Sequence, residues 1–203
     1  MAVTRQRLPR GSGEQLRPEI VRAAKELMAA ANTADDVSIR AVAKAVGVSA
    51  PSIYLHFADK QELISAVVMD VFETLDREMM AVGAAAAAPL ERLLAYGMAY
   101  VRFGIEHPEH YRLATMDPCP RPDVDLMLTD GAFVHFRTAV EDCMAAGDIA
   151  PGDSVSTTIE LWAAAHGITA LIVAKPELPI DDPMAIAERV LVAAALGHAR
   201  PSS

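Results

Sequence analysis

The chain has 203 residues, of which 52% are apolar and 22% charged, and its formal net charge is −9. This composition allows a buried core without disulfides or metals, and the length suits one larger domain or a small domain before a larger one. The charge is uneven, because residues 1–60 hold nine Lys or Arg against six Asp or Glu, whereas the remainder holds nine against 21. A basic head on an acidic body favours a nucleic-acid partner at one end only.

Cysteine usage and the most apolar segment indicate the compartment. Cys119 and Cys143 are the two cysteines, and neither lies in a metal-ligand spacing. We therefore expect a reducing, cytoplasmic setting in which both thiols are buried and unbridged. Met1–Gly13 is basic but lacks the apolar core of a signal peptide. The segment Ile159–Ala174 is shorter than the roughly 20 residues of a membrane span, so we expect no membrane partner.

Helical spacing of apolar residues recurs along the chain, and no window shows the alternation of a strand. The sequence predicts an all-α fold, with an N-terminal domain over residues 1–60 and a second helical domain over 61–203. The predicted helices cover approximately residues 17–31, 39–45, 50–57, 60–83, 89–106, 108–116, 123–146, 151–174 and 183–199. The ends, 1–16 and 200–203, are predicted to be loose tails. Three prolines exclude regular structure at 117–122.

Capping residues support several of these starts. Ser38 and Ser49 are placed to cap the second and third helices, and Asp59 with Glu62 resembles a capping box before the fourth. The second and third helices are short and joined by Val46-Gly47-Val48, which is the arrangement of a helix-turn-helix, with Gly47 allowing the tight turn.

The outer face of the third predicted helix is unusual. Its residues are small or form hydrogen bonds: Ala50, Pro51, Ser52, Tyr54 and His56. Small side chains let the backbone approach base edges, and the N–H groups after Ser49 favour a phosphate. Leu55 is the one bulky aliphatic residue there, and Phe57 is predicted to lie in the core.

These residues carry a family resemblance. Residues 38–63 read SIRxVAxxVGVSxxxIYxHFxDKxxL. With the helix from Ile20, this segment resembles the DNA-binding signature of the TetR (tetracycline repressor) family. In the remainder, Glu106–Arg112 and Leu161–Gly167 resemble the subgroup named for its Trp–His–Gly motif.

The resemblance implies a repressor that binds an inverted-repeat operator as a homodimer and is released by a small molecule in the C-terminal domain. The implied DNA-binding residues are Ser38, Arg40, Ser49, Ala50, Pro51, Ser52, Tyr54, His56 and Lys60. In this reading Ser38 and Arg40 lie at the groove edge, residues 50–52 face the bases, Tyr54 and His56 contact the backbone, and Lys60 neutralises a further phosphate. Four arginines at positions 5, 7, 10 and 17 form either an arm toward DNA or a solvated tail.

The ligand-binding candidates are aromatic or adaptable side chains of the C-terminal part: Tyr100, Phe103, Met116, Met127, Phe133, Phe136, Trp162 and His166. Trp162 and His166 lie one helical turn apart, so they line a pocket, brace the core or approach the dimer seam. His107 and His110 have a spacing seen in metal sites, but Pro108 favours a helix start there, and we expect no cofactor.

Two further expectations concern the dimer and the rival functions. The last two helices are expected to pair with their copies through an apolar face formed by Leu161, Ala164, Ile168, Leu171, Ile172, Ile186, Val190, Leu191 and Ala194. One rival is a helical enzyme, although no nucleophile–base pair or carboxylate pair can be placed. Another is a sequence-indifferent DNA-packing protein, against which the acidic body argues. An activator is the alternative to a repressor.

Overall fold

The computed structural model describes residues 13–31, 33–116 and 131–199. Within these ranges the chain forms nine α-helices, one short 3-10 turn at Ala34–Asp36 and no strand. The helices are α1 (Gly13–Ala29), α2 (Ile39–Val46), α3 (Ala50–Ile53), α4 (Lys60–Gly83), α5 (Pro89–Glu106), α6 (Pro108–Thr115), α7 (Ala132–Ala146), α8 (Ser154–Ala174) and α9 (Pro183–Gly197). The prediction of an all-α fold is confirmed.

Most predicted boundaries agree with these helices to within three residues, and the larger differences in the described part of the chain are at the start of α1 and the end of α3. Helix α1 begins four residues early, with Pro18 inside it. Helix α3 is regular only to Ile53, after which the chain continues as a turn. Helix α8 begins at Ser154 instead of Pro151, because the Asp153 carboxylate accepts hydrogen bonds from the Val155 and Ser156 N–H groups. The predicted start of α7 and the proline segment at 117–122 lie outside the described residues.

The chain divides into two compact units after Asp70. In the first unit, α1 packs against α2, and α2 against α3. Its core consists of apolar side chains that are nearly inaccessible to solvent: Ile20, Ala24, Met28, Val42, Ile53, Phe57, Leu63 and Val67. A 2.5 Å ion pair between Lys25 and Asp70 joins α1 to α4 within this unit. The carboxylate of Asp59 accepts from the Glu62 N–H at 2.7 Å, and Glu62 accepts from the Ala58 N–H, which confirms the predicted cap of α4.

The second unit is organised around α5, which packs against α7, α8 and α9. Helix α5 approaches α8 closely at Gly104, where an added Cβ atom would lie 2.2 Å from the Cγ2 atom of Thr169. A side chain at position 104 therefore has no room, and the glycine permits the contact between the two helices. The Cys143 thiol is fully buried and free, and its burial raises its pKa to about 11, so it stays protonated. Cys119 lies outside the described residues.

Helix α8 is both long and apolar. Because it begins at Ser154, it has 21 residues, and it is the one helix in the described part of the chain that is long and apolar enough to cross a membrane by length and composition alone. The helix packs against α5, α7 and α9, and it buries Thr157, Thr158 and Thr169 as well as apolar residues.

Candidate functional site

A tight turn joins α2 to α3. Gly47 ends α2 with φ of 81° and ψ of 22°, a left-handed conformation that glycine adopts without steric cost. Its N–H donates to the carbonyls of Ala43 and Lys44, and the Val48 N–H donates to Ala43 at 2.9 Å. The chain thus reverses within three residues, and α3 starts immediately afterwards. This is the predicted helix-turn-helix geometry.

The two serines at the helix starts behave differently. The Ser38 hydroxyl accepts a hydrogen bond from the Ala41 N–H at 3.1 Å, as predicted for a cap. Ser49 occupies the cap position of α3 in an extended conformation, but its side chain makes no hydrogen bond to the backbone of that helix. Its hydroxyl instead lies 2.8 Å from the hydroxyl of Ser52. The prediction that the Ser49 side chain caps α3 is therefore wrong, because the neighbouring hydroxyl competes for it.

Only two side chains anchor the segment 50–57 in the core. Ile53 and Phe57 are buried, four residues apart, while the guanidinium of Arg17 lies 4.8 Å from the centre of the Phe57 ring. The other side chains remain accessible, and those of Pro51, Tyr54 and Leu55 are exposed. None of the nine residues predicted to bind DNA is buried. The surface formed by these nine residues is called the reading face below.

Lys60 begins α4 beside this surface. Its Nζ atom donates to the backbone carbonyl of Asp35 and lies 3.4 Å from the carboxylate of the same residue. The ammonium group is thus held at the edge of the first unit by a partner that is 75% exposed. Arg5, Arg7 and Arg10 lie outside the described residues.

The second unit contains a cavity of about 590 Å³, counting its open mouth. Helices α4, α5, α7 and α8 contribute its walls. The lining residues are Phe72, Leu75, Met79, Tyr96, Gly97, Tyr100, Ala132, Phe133, Phe136, Trp162 and Ala165. Among the described residues, no side chain that lines this cavity carries a formal charge at pH 7. The lining residues whose side chains carry a polar group are Tyr96, Tyr100 and Trp162.

A buried hydrogen-bond network adjoins the cavity. The Nδ1 atom of His166 lies 3.0 Å from the Tyr100 hydroxyl and 2.8 Å from the Tyr111 hydroxyl. Burial lowers the pKa of His166 and raises the pKa of both tyrosines, so the three groups are neutral at pH 7.

Comparison with known proteins identifies the chain. Residues 20–67 match the family described as bacterial regulatory proteins, tetR family, and residues 93–194 match the tetracyclin repressor-like C-terminal domain. The chain belongs to the TetR family. It is a transcriptional regulator with an N-terminal helix-turn-helix DNA-binding domain and a C-terminal helical domain. Among curated proteins, none shows significant similarity to it.

Solved structures share the fold of this TetR regulator. A protein of unknown function from Rhodococcus sp. RHA1 is 26% identical to this chain, with a TM-score of 0.79. The alignment covers 96% of this chain and 100% of that protein. A putative tetR family transcription regulator from Shewanella sp. PV-4 is 16% identical, with 89% and 96% covered and a TM-score of 0.73. RolR, solved in complex with the ligand resorcinol, is 18% identical, with 94% and 96% covered and a TM-score of 0.65.

The predicted ligand residues of this TetR regulator fall into three groups. Tyr100, Phe133, Phe136 and Trp162 line the cavity. His166 lies behind Tyr100 in the hydrogen-bond network, and Phe103 is buried without lining the cavity. Met116, which is 44% exposed, follows the end of α6. Met127 lies outside the described residues.

His107 and His110 are explained by the path of the backbone. His107 ends α5 and precedes α6, whose first residue is Pro108, as the helix-start interpretation predicted. The rings of His107 and His110 are 5.8 Å apart, centre to centre, and in the described part of the chain no group of three or more His, Cys, Asp or Glu residues could hold a metal ion.

Several residues of the cavity and of the adjoining hydrogen-bond network were not predicted from the sequence. Tyr96, four residues before Tyr100, lines the same wall, and the signal was that helical spacing. Phe72, Leu75 and Met79 lie on α4, and their apolar character alone does not show that they face a cavity. Tyr111 was overlooked because its partner His166 is 55 residues distant in the chain.

Proposed function

We propose that this TetR regulator is a ligand-responsive repressor, which binds an inverted-repeat operator as a homodimer and releases it when an uncharged effector fills the cavity. The observation that carries the proposal is the combination of an accessible reading face in the first unit with a cavity walled by helices of the second unit. A regulator of this kind acts by binding, without turnover, and works in the cytoplasm, where its operator is.

The reading face supports DNA contact residue by residue. Ser38 and Arg40 are exposed at the start of α2, and Ala50, Pro51 and Ser52 form the first turn of α3. Because these last three side chains are small, α3 can come close to base edges in a major groove. Lys60 reaches a phosphate once it leaves Asp35, so DNA binding exchanges an exposed ion pair for a phosphate contact at little cost.

Selection from a random DNA pool at near-physiological salt tests operator binding. We expect enrichment of an inverted repeat whose half-sites lie about one helical turn, roughly 34–36 Å, apart. Tyr54→Ala and Lys60→Ala should each weaken binding to the selected site by about tenfold, corresponding to roughly 1–2 kcal/mol for one contact. Lys175→Ala, which removes the same charge from an exposed position after α8, should leave affinity unchanged. Enrichment of no sequence, or equal loss in all three variants, would contradict the proposal.

The surface that we propose for the dimer differs from the expected one. Leu161, Ile168 and Leu191 are buried inside the subunit, so the prediction that they face a partner is wrong. What α8 exposes is a row of residues at four-residue spacing: Val155, Ile159, Ala163, Gly167 and Leu171. Three of these are large apolar side chains that are 41%, 48% and 53% exposed. We call this row the α8 ridge.

The α8 ridge suits a second copy of the same helix. Rows at i±4 spacing interdigitate in the commonest class of helix packing, and small residues at its centre permit close approach. A Cβ atom added at Gly167 would have no other atom within 4 Å, so the α8 ridge is open at this position in the single subunit. Two copies would cover apolar side chains that a single subunit leaves in water.

Light scattering during gel filtration tests this surface with a matched pair of variants. Leu171 on the ridge and Leu178 beyond the end of α8 are both exposed leucines, at 53% and 39%. Leu171→Glu should shift the protein toward monomer, because it buries a charge at the seam, whereas Leu178→Glu should leave the dimer intact. A dimer that survives Leu171→Glu would place the seam elsewhere.

We also propose that the C-terminal domain belongs to the subgroup named for its Trp–His–Gly motif. The support is that the three motif positions have distinct places: Trp162 on the cavity wall, His166 in the network behind it and Gly167 on the exposed ridge.

A further inference from the structure

The walls of the cavity restrict the effector, if the proposed function is correct and the cavity holds one. Six of its lining residues are aromatic, and the described lining offers no charge to pair with an ionised ligand. Transfer of an unpaired carboxylate or ammonium group into such a site costs far more than transfer of a neutral polar group. Aromatic walls also favour a ring, which they contact edge to face or in offset stacks.

Tyr100, which lines the cavity wall, shares its hydrogen-bond acceptor with a second tyrosine. Tyr100 and Tyr111 both lie within hydrogen-bond distance of Nδ1 of His166, at 3.0 Å and 2.8 Å. A ring nitrogen of neutral histidine offers one lone pair or one proton, so it serves only one of the two hydroxyls. Tyr111 is the closer of the two, and it does not line the cavity. Its other acceptor, the backbone carbonyl of His166, lies farther from its hydroxyl, at 3.3 Å.

This competition leaves the Tyr100 proton available. Since Tyr111 can satisfy Nδ1 alone, Tyr100 can turn its proton toward the cavity without leaving that buried nitrogen unpaired. Tyr96 differs, because its hydroxyl already donates to the sulfur of Met80 at 3.4 Å. The raised pKa of Tyr100 keeps it protonated and therefore a donor.

We propose that the effector is an uncharged, ring-containing molecule with an acceptor oxygen, such as an aryl ketone, ester or ether, which accepts a hydrogen bond from the Tyr100 hydroxyl. Tyr100 is the specificity-determining residue, and Tyr111 is a positioning residue that frees the Tyr100 proton. The network thereby gives an otherwise apolar cavity one directional contact.

Three probes of similar size test this ligand class by titration calorimetry on the full chain at neutral pH. Benzophenone carries a ketone oxygen, 1,1-diphenylethylene replaces that oxygen by a methylene group, and 4-benzoylbenzoate adds a carboxylate. We expect benzophenone to bind about fivefold more tightly than 1,1-diphenylethylene, the size of one net hydrogen bond. We expect 4-benzoylbenzoate to bind at least tenfold more weakly than benzophenone, because its charge is unpaired in the cavity.

Tyrosine variants separate a hydrogen bond from shape. Tyr100→Phe should remove the preference for benzophenone, whereas the matched control Tyr96→Phe, on the same wall, should retain it. Tyr111→Phe should reduce the preference as well, because Nδ1 of His166 then depends on Tyr100 alone. A residue that only fills space outside the cavity would not change the discrimination between two isosteric probes. If Tyr100→Phe does not fold, as judged by its thermal melt, Tyr111→Phe decides.

The proposal is overturned if no probe binds, if the two neutral probes bind the native chain equally, if the carboxylate binds best, or if the preference survives Tyr100→Phe. These outcomes are independent of the operator, because the calorimetry contains no DNA. Failure of the DNA selection with normal probe binding would contradict the repressor function and leave the ligand class standing. Successful DNA selection without the expected probe binding would contradict the ligand class and leave operator binding standing.

Discussion

The contact between α5 and α8 at Gly104 allows a stability change to be worked out from the structure. In Gly104→Ala the new Cβ would lie 2.2 Å from Cγ2 of Thr169, a residue with no exposed surface, and 3.3 Å from a ring carbon of Tyr111. Carbon atoms in contact prefer about 3.5–4.0 Å, so the two helices must separate by about an ångström or more. Overpacking of this kind costs about 1–3 kcal/mol, and the better helix propensity of alanine returns about 0.5–1 kcal/mol. We expect a net loss of about 1 kcal/mol, or a Tm roughly 2–4 °C lower.

A double-mutant cycle identifies the clash as the cause. Thr169→Ser removes Cγ2 but keeps the hydroxyl that donates to the Ala165 carbonyl at 2.7 Å, and loss of one buried methyl group costs about 1 kcal/mol. The variant with both changes should be at least as stable as Thr169→Ser alone. The expected coupling therefore exceeds about 1 kcal/mol.

Chemical denaturation at one fixed protein concentration measures all four proteins of the cycle, because dimerisation contributes to stability. Gly152→Ala is the matched control, since an added Cβ there meets no atom within 4 Å, and its effect should stay within about 0.5 kcal/mol. Additive losses in the cycle, or a Gly104→Ala protein as stable as the native chain, would refute the argument from helix separation.

Three other measurements concern protonation and charge. Burial lowers the pKa of His166 below its usual 6.5, so the unfolded chain binds more protons than the folded chain. The stability that depends on neutral His166 is complete above pH 6.5 and is lost as the pH falls toward the folded pKa. His166→Asn should lack that part of the loss in denaturation curves between pH 7.5 and 5.5. Hydrogen bonds from Ser156 and Val155 lower the pKa of Asp153 below 3.8. The stability from this helix cap is therefore complete above pH 3.8 and is lost as the pH falls through the folded pKa. Asp153→Asn should show a flatter dependence of stability on pH in acid, and an unchanged dependence would contradict the role of the carboxylate. If each half-site engages about four phosphates, the logarithm of operator affinity should fall against that of salt with a slope near −7, and a slope near zero would argue against backbone contacts.

The helices were predictable where local chemistry decides them. The Ser38 cap, the turn at Gly47 and the Asp59–Glu62 start of α4 each depend on residues within four positions of one another. The spacing of apolar residues also separated the buried Ile53 and Phe57 from the outer face of residues 50–57. Such features need no knowledge of distant parts of the chain.

The cavity and its network were less predictable, because they depend on which helices meet. Tyr100 and Tyr111 come to one nitrogen of His166 from two other helices, and no periodicity within one helix encodes that meeting. The same limit explains the error at the dimer surface. The periodicity of α8 shows that apolar residues lie on nearly all its sides, but not that Leu161 and Ile168 face α5 and its neighbours while Ile159 and Leu171 stay outside.

The burial pattern of residues 50–57 has a consequence for how this regulator changes over evolution. Since folding depends on Ile53 and Phe57, while Pro51, Tyr54 and the 83% exposed Leu55 project outward, substitutions at the outward positions should alter stability by only about 0.5 kcal/mol. Under the proposed function, operator preference can therefore drift by single substitutions in the reading face, through intermediates that all remain folded. Duplicated copies of such a gene would acquire separate targets long before their folds diverged.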